Sequence, residues 1–224
     1  MRIENRTEEK MDFLRRYGIY FLFLGVLSDF STPYVLGLFY PGLDQLTMPI
    51  SVFGDVASPV RGSFLIFSVI SGILFVLSLP ALYTSFANIS TRLAKWLVVS
   101  LSFYAIGDCL FTGLFSLNTQ ATSWDFSSWV HNIGSSLGYT GFLLFPVFAL
   151  LLYRKEADQP IGRSYVLVVI LSLLSALIYG LARIPVLNHL PILDKLGFCQ
   201  RLSYFFNYLA ILLVGIKQLK RVKR

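Results

Sequence analysis

Six stretches of this chain are apolar for long enough to cross a lipid bilayer, and that fact constrains everything else about it. The hydrocarbon core is about 30 Å thick and a helix rises about 1.5 Å per residue, so a crossing takes about 20 residues. Residues 17–36, 62–83, 96–117, 129–153, 164–183 and 197–216 meet that length. The runs are continuous, as in GILFVLSLPALY and YVLVVILSLLSALIYGL. They do not alternate every second residue, as the strands of a membrane barrel must. The expected fold is therefore all-α: a polytopic membrane protein built as a six-helix transmembrane bundle. Residues 1–16 form an N-terminal segment, 17–216 the membrane domain and 217–224 a basic tail. Hydrophobic residues make up 55% of the 224 and charged residues 14%. Soluble domains run near 45–50% and 25%, which excludes a soluble enzyme, a disordered chain and a nucleic-acid-binding domain. The first twelve residues, MRIENRTEEKMD, are polar and no cleavage site follows a short apolar core. The first run is expected to remain as a helix.

The net charge of +7 reads first as topology. Placing the N-terminus inside gathers Arg2, Arg6, Lys10, Arg15 and Arg16 on that side. Arg92, Lys95, Arg154, Lys155 and Arg163 follow, with Lys217, Lys220, Arg221, Lys223 and Arg224 in the tail. Only Arg61, Arg183, Lys195 and Arg201 fall elsewhere. Loops on the cytoplasmic side carry the excess of Lys and Arg, so both termini are expected to be cytoplasmic. The tail IKQLKRVKR suits anionic headgroups. No nucleic-acid motif accompanies it. Trp96, Tyr83, Tyr153 and Tyr165 fall at the inner edges of the spans, and Tyr34, Tyr40, Trp124 and Trp129 at the outer ones. Amphipathic rings favour these levels.

Charged groups inside a span are costly, and each asks for a partner or a cavity. Asp29 and Asp108 each lie about 12 residues, or ~18 Å, from the inner end of their spans. Arg201 lies near the outer end of the sixth span, His131 near that of the fourth, and Arg183 at that of the fifth. These groups occupy one layer. They are expected to line a polar pocket open to the outer side, with Ser135, Asn132 and Thr112 adding neutral hydrogen bonds. Ser135 shares a helix face with His131, as Thr112 does with Asp108. The alternative is structural: Asp29 or Asp108 pairs with Arg201 and locks the bundle.

No metal or other cofactor is implied. His131 and His189 are the only histidines, few for a zinc site that normally takes three protein ligands. A set of His131, His189 and Asp108 is the only candidate. No HExxH or phosphate-cradling glycine loop occurs. Cys109 and Cys199 both fall in the outer halves of spans and read as buried free thiols. The longest connection, GLFYPGLDQLTMPISVFGDVASPVR at 37–61, mixes prolines and glycines with Phe39, Leu43, Leu46, Ile50 and Phe53. It is expected to lie over the bundle mouth as an amphipathic or re-entrant segment, either as a lid or as a packed plug.

Three segments carry a family resemblance. PISVFGDVASPVRGSF (49–64) leads into the second span, and IGDCLFTGLFSLN (106–118) is followed by WVHNIGSSLGYTGFLLFP (129–146). Their order and spacing resemble the prokaryotic multi-span membrane family called domain of unknown function 998. The matching positions are Ile50, Ser51, Gly54, Pro59, His131 and Gly134. Asn118 stands where that family usually closes its third-helix motif with an acid, and Ser63 or Phe64 where an Asn opens the next helix. The resemblance implies a multi-pass protein of the prokaryotic cell membrane. It brings no established activity and no catalytic residues.

The expected function is binding or scaffolding: a lipid, small amphiphile or partner held in an outward-facing pocket of Asp29, Asp108, His131, Ser135, Arg183 and Arg201. An intramembrane lipid hydrolase and a small transporter or channel component are the alternatives. No internal repeat supports an inverted-repeat transporter. The expected partners are membrane lipids, with a protein partner or a second copy of the chain as further candidates, and no nucleic acid.

Overall fold

A computed structural model describes residues 2–222 apart from Trp124 and residues 157–161. Trp124, expected at the outer edge, and Lys223 and Arg224 of the tail lie outside the described residues. The architecture is all-α, with six helices long and apolar enough to cross a membrane. They are α1 (Arg2–Gly37), α2 (Arg61–Ala87), α3 (Thr91–Leu114), α4 (Phe126–Lys155), α5 (Arg163–Ala182) and α6 (Leu196–Val222). A 3₁₀ turn, Ile50–Gly54, interrupts the long connection between α1 and α2.

Local chemistry sets several helix starts. The Ser90 hydroxyl accepts from the Leu93 N–H and opens α3, and the Asp125 carboxylate accepts from the Ser128 N–H at 2.7 Å and opens α4. Each satisfies one of the donors that a helix start leaves orphaned. The helices outrun the expected spans. α1 takes in most of the N-terminal segment and α6 runs into the basic tail, because Glu, Lys, Arg and Gln are good helix formers outside the bilayer. α5 keeps the expected length, and α3 stops short at Leu114. Phe115 turns extended (φ −123°, ψ 113°), and Leu117 pairs instead with Asp55 of the long loop.

Small polar residues join the helices. Ser71 of α2 donates to the Ser28 hydroxyl of α1 at 2.8 Å, and Ser172 of α5 to Asn207 of α6 at 2.8 Å. In lipid, such contacts and close backbone packing replace the hydrophobic drive between helices. The tightest seam lies between α3 and α4. Gly134 and Gly138 are one turn apart on α4, and a Cβ on Gly134 would come within 2.9 Å of the Gly107 carbonyl oxygen. One on Gly138 would come within 2.6 Å of the Asp108 Cβ. Along this seam α3 winds as a π-helix, Tyr104–Phe111. That wider winding carries Asp108.

The carboxyl ends of α2, α4 and α6 meet at one end of the bundle. There Glu156 accepts from Lys217 at 3.5 Å and from Arg221, whose guanidinium lies over Phe86 at 5.9 Å. At the opposite end the long loop folds inward. Phe53 is fully buried and packs on Phe64 and Tyr40, at centroid distances of 5.9 and 6.0 Å.

Candidate functional site

The loop is the roof of a cavity. Arg201, one turn into α6, holds it down. Its Nη1 donates to the carbonyls of Gln45 (2.8 Å), Met48 (2.9 Å) and Gly197 (3.1 Å). Beside it the Ile50 N–H donates to Gln200 Oε1 at 2.7 Å, and the Phe198 N–H donates to the Leu46 carbonyl at 2.8 Å. Asp44 closes the turn, accepting from the Leu46 N–H (2.9 Å) and the Thr47 hydroxyl (2.7 Å). Those two bonds hold its carboxyl below the usual range. On the other flank, Asp55 accepts from the N–H groups of Ala57 and Thr119, both at 2.9 Å. Burial pushes the Asp55 carboxyl up, but these bonds and the nearby Arg61 outweigh it and leave it lowered.

Beneath the roof lies a cavity of about 60 Å³, room for a few waters or for the polar end of one ligand. α1 contributes Asp29, Phe30, Pro33 and Tyr34 to its walls, and α3 contributes Tyr104, Asp108 and Thr112. α4 contributes His131 and Ser135, and α6 contributes Gln200, Arg201, Tyr204 and Tyr208. Ile50 and Ser51 from the loop and Phe64 and Ser68 from α2 complete it.

Five of the six residues singled out from the sequence thus surround one space: Asp29, Asp108, His131, Ser135 and Arg201. Arg183 does not join them. It caps α5 at an exposed position, donating to the Tyr179 hydroxyl at 3.4 Å with its guanidinium 5.7 Å from that ring. α5 contributes nothing to the walls, and α2, which carries no charged residue within its span, takes its place. Asn132 also turns away, donating to the Ser128 carbonyl of its own helix. His189 is exposed on the loop after α5, outside the cavity. Cys109 and Cys199 are both free and buried.

The expected Asp–Arg lock is not formed. Tyrosines engage the acids instead. Asp29 Oδ2 accepts from the Tyr104 hydroxyl at 2.5 Å and the Tyr208 hydroxyl at 2.8 Å, with Cys109 Sγ at 3.5 Å. Tyr104 and Tyr208 lie 2.6 Å apart, oxygen to oxygen. Asp108 Oδ2 accepts from the Tyr204 hydroxyl at 2.6 Å, and Ser135 is a further hydrogen-bond neighbour. The rings interlock, with Tyr104 stacked on Phe142 at 4.0 Å. Phenol hydroxyls satisfy a carboxyl without bringing a second charge into the bundle, which spares one desolvation cost.

His131 is 2% exposed, and its Nδ1 donates to the Phe115 carbonyl at 2.8 Å. A carbonyl only accepts, so the hydrogen sits on Nδ1 and Nε2 is left as the acceptor. Arg201 is 7% exposed, yet its Nε and Nη2 are buried with no partner among the described residues.

Residue type alone does not set Tyr104, Tyr204 and Tyr208 apart from the rings at the span edges. The available signal is spacing: Arg201, Tyr204 and Tyr208 recur at three and four residues, one stripe along a helix. The segments that carried the resemblance also meet here. Ile50, Ser51 and His131 line the cavity, and an added Cβ on Gly54 would sit 3.1 Å from Phe64 and 3.9 Å from His131. The profile of a family described as protein of unknown function, DUF998, matches residues 23–217, taking in the bundle and the loop. The chain belongs to the DUF998 family. No curated protein and no solved structure matches it.

Proposed function

We propose that this DUF998 protein is a multi-pass protein of the cell membrane that binds the polar end of a lipid or small amphiphile in the cavity beneath the 37–61 loop. The orientation follows the positive residues: both termini in the cytoplasm and the loop outside. One observation carries the reading. A single cavity inside a hydrocarbon-spanning bundle is walled by two carboxyls, an imidazole, a guanidinium and four phenols drawn from four helices. Polar groups at such depth are costly, and they concentrate where a site repays them. Binding is favoured over hydrolysis by how Ser135 and His131 are engaged: the serine neighbours Asp108, and Nδ1 of the histidine is committed to Phe115.

The test is the set of amphiphiles that co-purifies with the protein, read by mass spectrometry after extraction. The wild type is expected to retain a defined species that Asp108→Asn and Ser135→Ala reduce, while both variants stay folded. Identical lipid profiles in the wild type and both variants overturn the proposal.

A further inference from the structure

The polar cavity has an apolar neighbour. Between α1 and α6 runs a groove of about 180 Å³, lined by Phe23, Val26 and Leu27 on one side and by Leu209 and Leu212 on the other. Phe30 and Tyr208 belong to the walls of both spaces. Their rings lie 5.8 Å apart, edge to face, and form the divide. The groove descends from Phe30 and Phe205 to Phe23 and Leu212, seven residues of helix on each side and therefore ~10 Å along the bundle axis. It points away from the loop, the direction that an acyl chain takes from a headgroup at the loop end.

The free edge of Arg201 says which headgroup. Nη1 is saturated by three neutral carbonyls. Nε and Nη2, which share the other edge of the guanidinium, are buried and have no partner among the described residues. Two parallel N–H donors on one edge match two oxygens of a phosphate or carboxylate. An unneutralised charge at this depth is among the costliest features a membrane protein can hold. Asp44 of the loop acts on Arg201 through its field but makes no ion pair with it, its oxygens being taken by Leu46 and Thr47, and the acids of the cavity do not pair with it either. Asp29 is engaged by Tyr104 and Tyr208, Asp108 by Tyr204, and no ion pair joins either to Arg201 among the described residues.

Resting on the binding reading above, we infer that the occupant is an anionic lipid of the surrounding bilayer, its acidic headgroup seated on Arg201 Nε and Nη2 and its acyl chain in the α1–α6 groove.

The full chain is reconstituted in phosphatidylcholine nanodiscs with a trace of phosphatidylglycerol bearing a photoreactive acyl chain. Crosslinks are mapped by peptide mass spectrometry. The expected result is labelling within 23–30 and 205–212, displaced by unlabelled phosphatidylglycerol and not by added phosphatidylcholine. Arg201→Gln is expected to cut labelling about tenfold, the loss of a charge-assisted bidentate contact. Leu27→Trp, at an exposed position on the groove wall, is expected to cut it comparably without touching the cavity. Equal labelling by a phosphatidylcholine probe overturns the inference and marks the groove as holding boundary lipid. Displacement by inorganic phosphate combined with no effect of Leu27→Trp also overturns it, by making the ligand a soluble anion, and leaves the binding reading standing. If Arg201→Gln fails to fold, Leu27→Trp and the two headgroup competitions decide the question.

Discussion

The two ends of this bundle handle charge in opposite ways. At the basic end, Glu156 pairs directly with Lys217 and Arg221. At the loop end, two carboxyls and a guanidinium surround one small cavity and do not pair. The acids are held by phenols and the arginine by backbone carbonyls. Ion pairing was open to both ends, so its absence around the cavity is a property of that site; the exposed Lys195–Asp194 pair stands outside it. Paired charges build a scaffold, whereas separated charges retain capacity for something else.

That contrast can be broken experimentally. The largest effect is expected at the seam that places Asp108. Gly138→Leu drives a side chain into the Asp108 backbone, with nothing flexible to yield. It should cost about 3 kcal/mol or more, seen as loss of monodisperse protein in detergent. Next comes Asp29. Asp29→Leu removes the acceptor for two phenols and should cost about 1–3 kcal/mol in unfolding free energy. Asp29→Asn keeps an acceptor and should cost less. Equal penalties would mean that the charge itself is needed, and the contrast between the ends would fail.

Smaller effects test the basic end. Glu156→Gln should cost about 0.5–1 kcal/mol, and the loss should shrink as salt is raised. Asp108→Asn should show no such salt dependence, because Asp108 is held by neutral hydroxyls. The smallest effect concerns the roof. The carboxyl of Asp55 is lowered in the folded state, so its stabilisation is complete above the ordinary carboxylate range. It is lost as pH falls below about 4, through the folded value. Asp55→Asn should flatten the acid side of a thermal-stability profile and leave the neutral side parallel to wild type. An unchanged acid slope would show that the roof does not depend on this carboxylate.

Depth was legible in the sequence, and direction was not. Counting 1.5 Å per residue from the span ends put Asp29, Asp108, His131 and Arg201 in one layer, and the structure groups them around one cavity. The same count put Arg183 there too, but it faces Tyr179 at the surface of α5. An amphipathic helix in water announces its buried face by its polar stripe. A helix in lipid is apolar on all sides, so its rotation about its own axis leaves almost no trace in composition. For that reason Tyr204 and Tyr208 passed as ordinary span residues, and an Asp–Arg lock was a reasonable expectation. The loop was harder still. Its apolar residues indicated packing, but the staple by Arg201 and the bridge to Leu117 join positions far apart in the chain.

The amino-acid sequence by itself determined that this is an all-α protein with six helices fit to cross a membrane, and that Asp29, Asp108, His131 and Arg201 share one layer. The bilayer imposes a length and forbids unpaired backbone, and both demands are written in one dimension. Only the tertiary structure decided which groups meet: tyrosine with carboxylate, Arg201 with the loop, Gly138 against Asp108. Those choices depend on the azimuth and close approach of helices, which glycine contacts and side-chain packing set in three dimensions.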